Sequence, residues 1–311
     1  IEEKLMMLPW PARCICGMSS ADWIAVDWGT SQLRAWLMRA DGSVVDRRVS
    51  DAGMSTLNPG GFAPSLAALV GDAMPAPVIA CGMVGARQGW VEAPYAAVPC
   101  APPGANRAER VPGQHVHVLP GVRQDSPADV MRGEETQIAG FLANHPGFDG
   151  VLCLPGTHTK WAHVSAGEIV SFRTAMTGEM FALLTERSVL RHSVAAGWDD
   201  AAFATGVDQT LSRPETLASS LFSIRAEGLL QGLGGATARA RLSGRLIGAE
   251  LAAMRPYWLG QPVAVIGADA VRRAYVAALR AQAVPVQQAD GDEMTLAGLT
   301  AAFAALQGVA T

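Results

Sequence analysis

Lysine is almost missing from this 311-residue chain: Lys4 and Lys160 are the only two among 24 basic residues. No GxxxxGK(S/T) segment can be written anywhere, which excludes the lysine-bearing phosphate loop. Charge is sparse too, at 17% of residues, and the net charge of −4 comes without a basic run long enough to follow a nucleic-acid backbone. No nucleic-acid partner is expected; an anionic small molecule needs only a local patch. No uninterrupted apolar run reaches the roughly 18 residues of a bilayer span, so no membrane partner is expected. The cysteines (Cys14, Cys16, Cys81, Cys100, Cys153) are odd in number and include no CxxC pair. That is the pattern of reduced thiols in a cytoplasmic protein. Residues 1–20 hold Lys4 and a short Leu5–Leu8 patch but no signal-peptide core. They read as an N-terminal extension outside the fold, with Met18 a natural start.

What is present is a core: half the residues are hydrophobic, enough for two domains of ordinary size. In "WIAVDWGTSQLRAWLM" an apolar strand, Trp23–Val26, meets Asp27-Trp28-Gly29-Thr30-Ser31 and then resumes as Leu33–Met38. After the Asp41-Gly42 turn, Ser43–Val49 makes a third strand. Pro59–Met74 reads as a helix, Pro77–Ala80 as a buried strand entering the loop Gly82–Gly89, 94–113 as loop, His115–Leu119 as a strand and Glu134–Ala143 as a helix. His115 and His117 share a strand face, with no third metal ligand nearby.

The opening pattern then returns. Val151–Leu154 is followed by Pro155-Gly156-Thr157-His158-Thr159, a strand Lys160–Val164, a turn, a strand Ile169–Arg173 and a helix around Met180–Leu190. "AVDWGTSQLRAW" and "LCLPGTHTKWAH" share strand, G-T turn, basic residue, tryptophan and strand, which reads as an internal duplication. Later come a helix Leu242–Arg255, a strand Gln261–Ile266, a helix through Arg280 and a closing amphipathic helix Met294–Leu306.

Two facing hairpins with Gly-Thr tips can clamp a triphosphate from both sides. Glycine admits a close phosphate, and flanking N–H and hydroxyl groups donate to its oxygens. This assigns Gly29, Thr30, Ser31 and Arg34 to one grip and Gly156, Thr157, His158 and Lys160 to the other. Lys160 is equally suited to a solvated strand, and His158 to bracing the turn. Asp27 is placed to hold Mg²⁺, which takes one or two carboxylates plus phosphates. Thr177, Gly178 and Glu179 open a helix, as a cap or as part of a site.

"VDWGTSQLRAW", "LPGTHTKW" and "VAVIGADAV" resemble the first phosphate, second phosphate and adenosine motifs of the actin–hexokinase superfamily. Together with "MVGARQGWVEAPY", "VMRGEETQ", "FRTAMTGE" and "GRLIGAE", they resemble the 2-dehydro-3-deoxygalactonokinases over nearly the whole chain from about residue 22. The resemblance implies an α/β fold: two-lobed, actin/hexokinase-like (ribonuclease H-like) duplicated domains with a central cleft, split at 21–145 and 146–311. It implies a Mg²⁺- and ATP-dependent phosphorylation of 2-dehydro-3-deoxy-D-galactonate. Adenosine would sit at Gly267, Ala268 and Asp269. Pro155 departs from the superfamily, many of whose members carry aspartate in that turn, so the catalytic carboxylate must lie elsewhere. By similarity to the GDQQ helix start of glycerol-kinase-like enzymes, Glu134 aligns with the base, and Glu135 is the second candidate. Acids also simply suit a helix's first turn. For the substrate carboxylate Arg87 leads, with Arg132 and Arg173 behind it. Gln88, Trp90, Thr177 and Glu179 are further substrate candidates, and Glu92 and Tyr95 line the pocket or pack the loop.

The same fold could instead act on another keto-deoxy acid or a neutral sugar. A non-catalytic role is disfavoured, because there is neither a DNA-binding module ahead of the first strand nor a filament-forming insertion. A homodimer is compatible with the sequence.

Overall fold

In the computed structural model residues 21–308 are described. The expectation that residues 1–20 lie outside the fold concerns residues outside that range. The chain opens with the predicted antiparallel meander of β1 (Trp23–Trp28), β2 (Leu33–Met38) and β3 (Val44–Ser50). β1 is buried along its length, which is why it carries an unbroken apolar run. Helix α1 (Phe62–Val70) buries Phe62, Leu66 and Val70 on one stripe. It is shorter than the expected Pro59–Met74, because Gly61 precedes it and Gly71, at φ 53°, turns out of it. β4 (Val78–Gly82) lies parallel to β1.

Short strands β5 (Ala96–Ala97) and β6 (Glu109–Arg110) interrupt the expected loop, and β7 (Val116–Val118) completes a six-stranded sheet ordered β3-β2-β1-β4-β7-β6. The hairpin β8 (Val122–Asp125) and β9 (Ala128–Met131) was not foreseen; it joins β5 in a small sheet. Helix α2 (Glu134–Asn144) follows.

A second meander comes next: β10 (Gly150–Leu154), β11 (Thr159–Ser165) and β12 (Glu168–Ala175). Helices α3 (Thr177–Glu186), α4 (Asp200–Ser212), α5 (Leu217–Gln231), α6 (Gly235–Ala253) and α7 (Arg255–Trp258) precede β13 (Val263–Gly267). Then come α8 (Asp269–Arg280), β14 (Val286–Asp290) and α9 (Gly291–Leu306). α3 starts and ends earlier than expected, and α6 starts earlier. The second sheet is ordered β12-β11-β10-β13-β14, with β10 antiparallel to β11 and parallel to β13. That repeats β3-β2-β1-β4-β7 in order and direction, so the duplicated actin/hexokinase-like architecture expected from the sequence is the one observed.

The halves exchange helices. Ile138 and Phe141 of α2 pack with Leu152, Leu154 and Ile266 of the second sheet. Leu299 and Ala302 of α9 pack with Trp23, Ala25 and Ile79 of the first, where Trp23 stacks on Phe303 at 4.3 Å. α2 and α9 also meet backbone to backbone. A Cβ on Gly140 would lie 2.0 Å from the Met294 carbonyl oxygen, and one on Gly298 would lie 2.1 Å from that of Thr136. Arg34 and Arg47 both pair with Asp292 at the head of α9. On the far side, the outer edge of β12 is closed by side chains. Phe172 N–H donates to Gln124 Oε1 (3.0 Å) and Thr174 N–H to Asp129 Oδ2 (2.8 Å), while Cys100 bridges Ile169.

Gly298→Ala must push α2 and α9 apart. It should destabilise the chain by about 1–3 kcal/mol in urea unfolding, as overpacking does elsewhere; unchanged stability would show that the crossing is loose.

Candidate active site

The first hairpin tip is held from behind. Gly29 and Thr30 turn their carbonyls toward the loop after β3, where the amides of Met54 and Ser55 donate to them at 3.0 Å each. Gly53 has no room for a Cβ, which would sit 2.2 Å from the Ser31 backbone. With the carbonyls engaged, the exposed Thr30 and Ser31 amides find no acceptor among the described residues. The second tip is built likewise: Glu179 N–H donates to Thr157 O at 2.9 Å, and Gly178 lies against the Gly156 carbonyl. Gly156, Thr157 and His158 are exposed, and His158 Nε2 lies 2.7 Å from Glu179 Oε2. The head of α3, with Thr177 and Glu179, therefore belongs to this tip.

Asp27 precedes the first tip and is nearly buried, its Oδ2 bound to Arg34 at 2.6 Å. Burial pushes its carboxyl up, Arg34 draws it down and Asp292 pushes it up again. Lys160 is also buried. Its Nζ donates to Val130 O and Thr174 Oγ1, both at 3.0 Å, which uses two of its three protons.

The start of α2 lies between these features. Gly133, at φ 110°, packs on Gly82 at the end of β4, and Gly82 itself lies against Asp27 Oδ1. Glu134 is half-buried and Glu135 is 0% exposed, with the Gly133 N–H donating to both Glu135 oxygens at 2.8 Å. Only Glu134 can reach a ligand from that turn. Burial raises its carboxyl, while Lys160, the backbone amides of the turn and, more weakly, His158 draw it down. Both acids bond the turn, Glu134 Oε2 accepting the Arg132 N–H at 3.1 Å, and they differ in exposure: Glu134 is partly exposed and Glu135 is not.

From the second tip opens a cavity of about 800 Å³. Gly156, Thr157 and Thr177 form one end, α8 residues between Ala270 and Ala277 one wall, and residues of α6 and of the segment around Trp198 line the remainder. Gly267, Ala268 and Asp269 lead into α8 without lining it, and Asp269 is paired with Arg272 and Arg273. Sequence reasoning does not find the lining residues from α6 and from the segment around Trp198, although "GRLIGAE" contains two of them, Leu246 and Ile247.

The sugar-acid candidates are dispersed. Arg87 and Gln88 are exposed on the loop after β4. Trp90 packs edge-on to Trp28 (6.0 Å) and stacks on Phe62 (6.1 Å), which fixes that loop. The Arg132 guanidinium lies 4.3 Å over the Tyr95 ring and donates to Ala93 O at 2.8 Å. Arg132 thereby ties the loop to the head of α2. No trio of His, Cys, Asp or Glu side chains forms a metal cage among the described residues. A magnesium ion held mainly by phosphate oxygens needs only Asp27, whose Oδ1 is outside the Arg34 pair, so the donor set fits that mode.

Burial, and then Glu134, lift the Glu135 carboxyl from an ordinary 4.5 to about 8. Between those pH values the unfolded chain has lost a proton that the native chain keeps. Stability should therefore fall as pH rises through that window and level off above it. Urea unfolding at both ends of the window should show the fall, and Glu135→Gln should shrink it; an equal fall in the variant would place the titration elsewhere.

The family model for 2-keto-3-deoxy-galactonokinase matches residues 27–302. The chain is 41% identical over 297 residues to a probable 2-dehydro-3-deoxygalactonokinase of Rhizobium meliloti (strain 1021), covering 91% of this chain and 96% of the relative. It is 36% identical over 286 residues to the 2-dehydro-3-deoxygalactonokinase of Escherichia coli (strain K12), covering 90% and 97%. A crystal structure from Sinorhizobium meliloti, described as a candidate 2-dehydro-3-deoxygalactonokinase, superposes with a TM-score of 0.83 at 39% identity over 91% of this chain and 99% of that one. Matched from the strand before the first tip to the closing helix, this chain belongs to the 2-keto-3-deoxy-galactonokinase family.

Proposed function

We propose that the chain transfers the γ-phosphoryl group of ATP to the terminal hydroxyl of 2-dehydro-3-deoxy-D-galactonate, giving the 6-phosphate and ADP. One observation carries the reading: two tips with outward amides accompany a half-buried glutamate at the head of a helix packed on the end of β4, and a cavity of about 800 Å³ opens from the second tip. The names of the two curated relatives supply the substrate.

Adenosine occupies the cavity along α8, and the phosphates run from Gly156-Thr157 toward Gly29-Thr30-Ser31. Asp27 would hold Mg²⁺, which neutralises phosphate charge when bound. Glu134 accepts the sugar hydroxyl proton as that oxygen bonds to phosphorus and ADP departs. Its environment suits this: burial raises its carboxyl and Lys160 draws it down in part. Arg87 pairs with the sugar carboxylate. The lobes, taken as 21–145 and 146–311, close over both substrates so that water does not compete. The setting is the cytoplasm, consistent with unpaired buried Cys81 and Cys153.

Glu134→Gln should cut kcat at least about a hundredfold while ADP binding persists; surviving turnover removes Glu134 from the role. Arg87→Ala should raise KM for the acid about tenfold and leave KM for ATP nearly unchanged. In an ADP-release assay the galactonate-derived keto-deoxy acid should be preferred over the gluconate-derived one. Preference for a neutral sugar, with Arg87→Ala silent, would overturn the sugar-acid assignment.

A further inference from the structure

Behind the cavity wall lies a buried carboxylate that the transfer described above does not use. Glu250, on α6, is 5% exposed. Its Oε1 accepts the indole N–H of Trp161 and its Oε2 the hydroxyl of Tyr275, each at 2.7 Å. The Tyr275 oxygen lies 2.9 Å from Thr159 Oγ1. Since Tyr275 spends its proton on the carboxylate, Thr159 must be the donor in that contact. The chain runs one way, from Thr159 through Tyr275 to Glu250, with Trp161 arriving from the other side.

These residues join three parts of the nucleotide region. Thr159 begins β11 directly after the second tip, and Trp161 lies two residues on. Tyr275 is on α8 and lines the cavity, as do Ser243, Leu246 and Ile247 of α6, one to two turns before Glu250. Burying a carboxylate is costly unless donors surround it, and an apolar side chain would pack here at less cost. Burial raises the Glu250 carboxyl, and its hydrogen bonds offset part of that. An acid kept in such a place calls for a geometric task, and its bonds define one.

We propose that Glu250 is a positioning residue for the nucleotide: through Tyr275 and Thr159 it fixes the α8 wall of the cavity against the second phosphate tip, so that the adenosine and phosphate subsites keep one separation. The inference rests on the reading of the cavity as the adenosine site. Glu250 touches no ligand itself. Glu250→Gln presents an amide N–H₂ to one of two donors and breaks the tie at nearly constant volume. Tyr275→Phe keeps the ring in the cavity wall and removes only the hydroxyl that faces away from it.

The test is calorimetric titration of ADP into the wild type, Glu250→Gln, Tyr275→Phe and the double variant, with steady-state kinetics alongside. Each single variant should weaken ADP about tenfold, and the double variant should lose little more than either, because both cut the same chain. KM for ATP should rise in parallel, with KM for the sugar acid held within about twofold. Wild-type ADP affinity in both variants would overturn the proposal. So would a joint rise of both KM values tracking lost thermal stability, the mark of a merely structural tie. If Glu250→Gln does not fold, Tyr275→Phe decides the matter alone. A wild type that binds no ADP would refute the adenosine reading itself, and the positioning role with it.

Discussion

The contact on which the molecule depends is the crossing of α2 and α9 at two glycines. Each helix comes from one half of the duplication and buries its apolar face on or beside the sheet of the other, so neither half is finished without its counterpart. Gly140 and Gly298 let the backbones touch, and the crossing sets where the head of α2 emerges. Glu134 is carried at that head, with the ends of β1 and β4 on one side and the second tip on the other. The placement of the acid is therefore a consequence of helix packing. It does not arise from a catalytic loop.

A chain so poor in lysine must handle anions by other means, and the tips show how. In both, the carbonyls are anchored by amides of the next segment, Met54 and Ser55 for one and Glu179 for the other, so the opposite edge of each turn presents donors. The lysine that remains at this site is spent largely on Val130 and Thr174. Its charge still reaches Glu134, whose carboxyl it draws down against burial. Glu135, one residue on, is fully buried beside Glu134, and the Gly133 amide and Arg132 offset only part of that, so its carboxyl stands at about 8. One peptide unit separates a partly exposed acid from a fully buried one.

Much of this was legible in the sequence, for a physical reason: strand, tight turn and returning strand are local, and both G-T hairpins have that form. The duplication followed from the same pattern. What stayed hidden depends on residues far apart in the chain. Arg34 and Asp292 meet across the whole sequence, and no spacing announces it. The hairpin β8–β9 was invisible because its inward positions include Gln124, a polar residue buried to cap another strand, so the apolar alternation fails. Glu250 reads as an ordinary helical acid until the fold brings Trp161 and Tyr275 to it. The difference between the carboxylates at the head of α2 was likewise invisible in the sequence: the fold leaves Glu134 partly exposed and buries Glu135.

The side-chain closure of β12 has a consequence beyond the cleft. A terminal strand normally offers a row of free amides and carbonyls, an open invitation to another chain in extended form. Here Gln124 and Asp129 occupy those amides, and Cys100 takes the place a neighbouring strand would claim. The second sheet cannot grow in that direction. The hairpin that supplies Gln124 and Asp129 runs directly into Arg132 and Glu134, so the cover of this sheet edge and the head of α2 are inherited together.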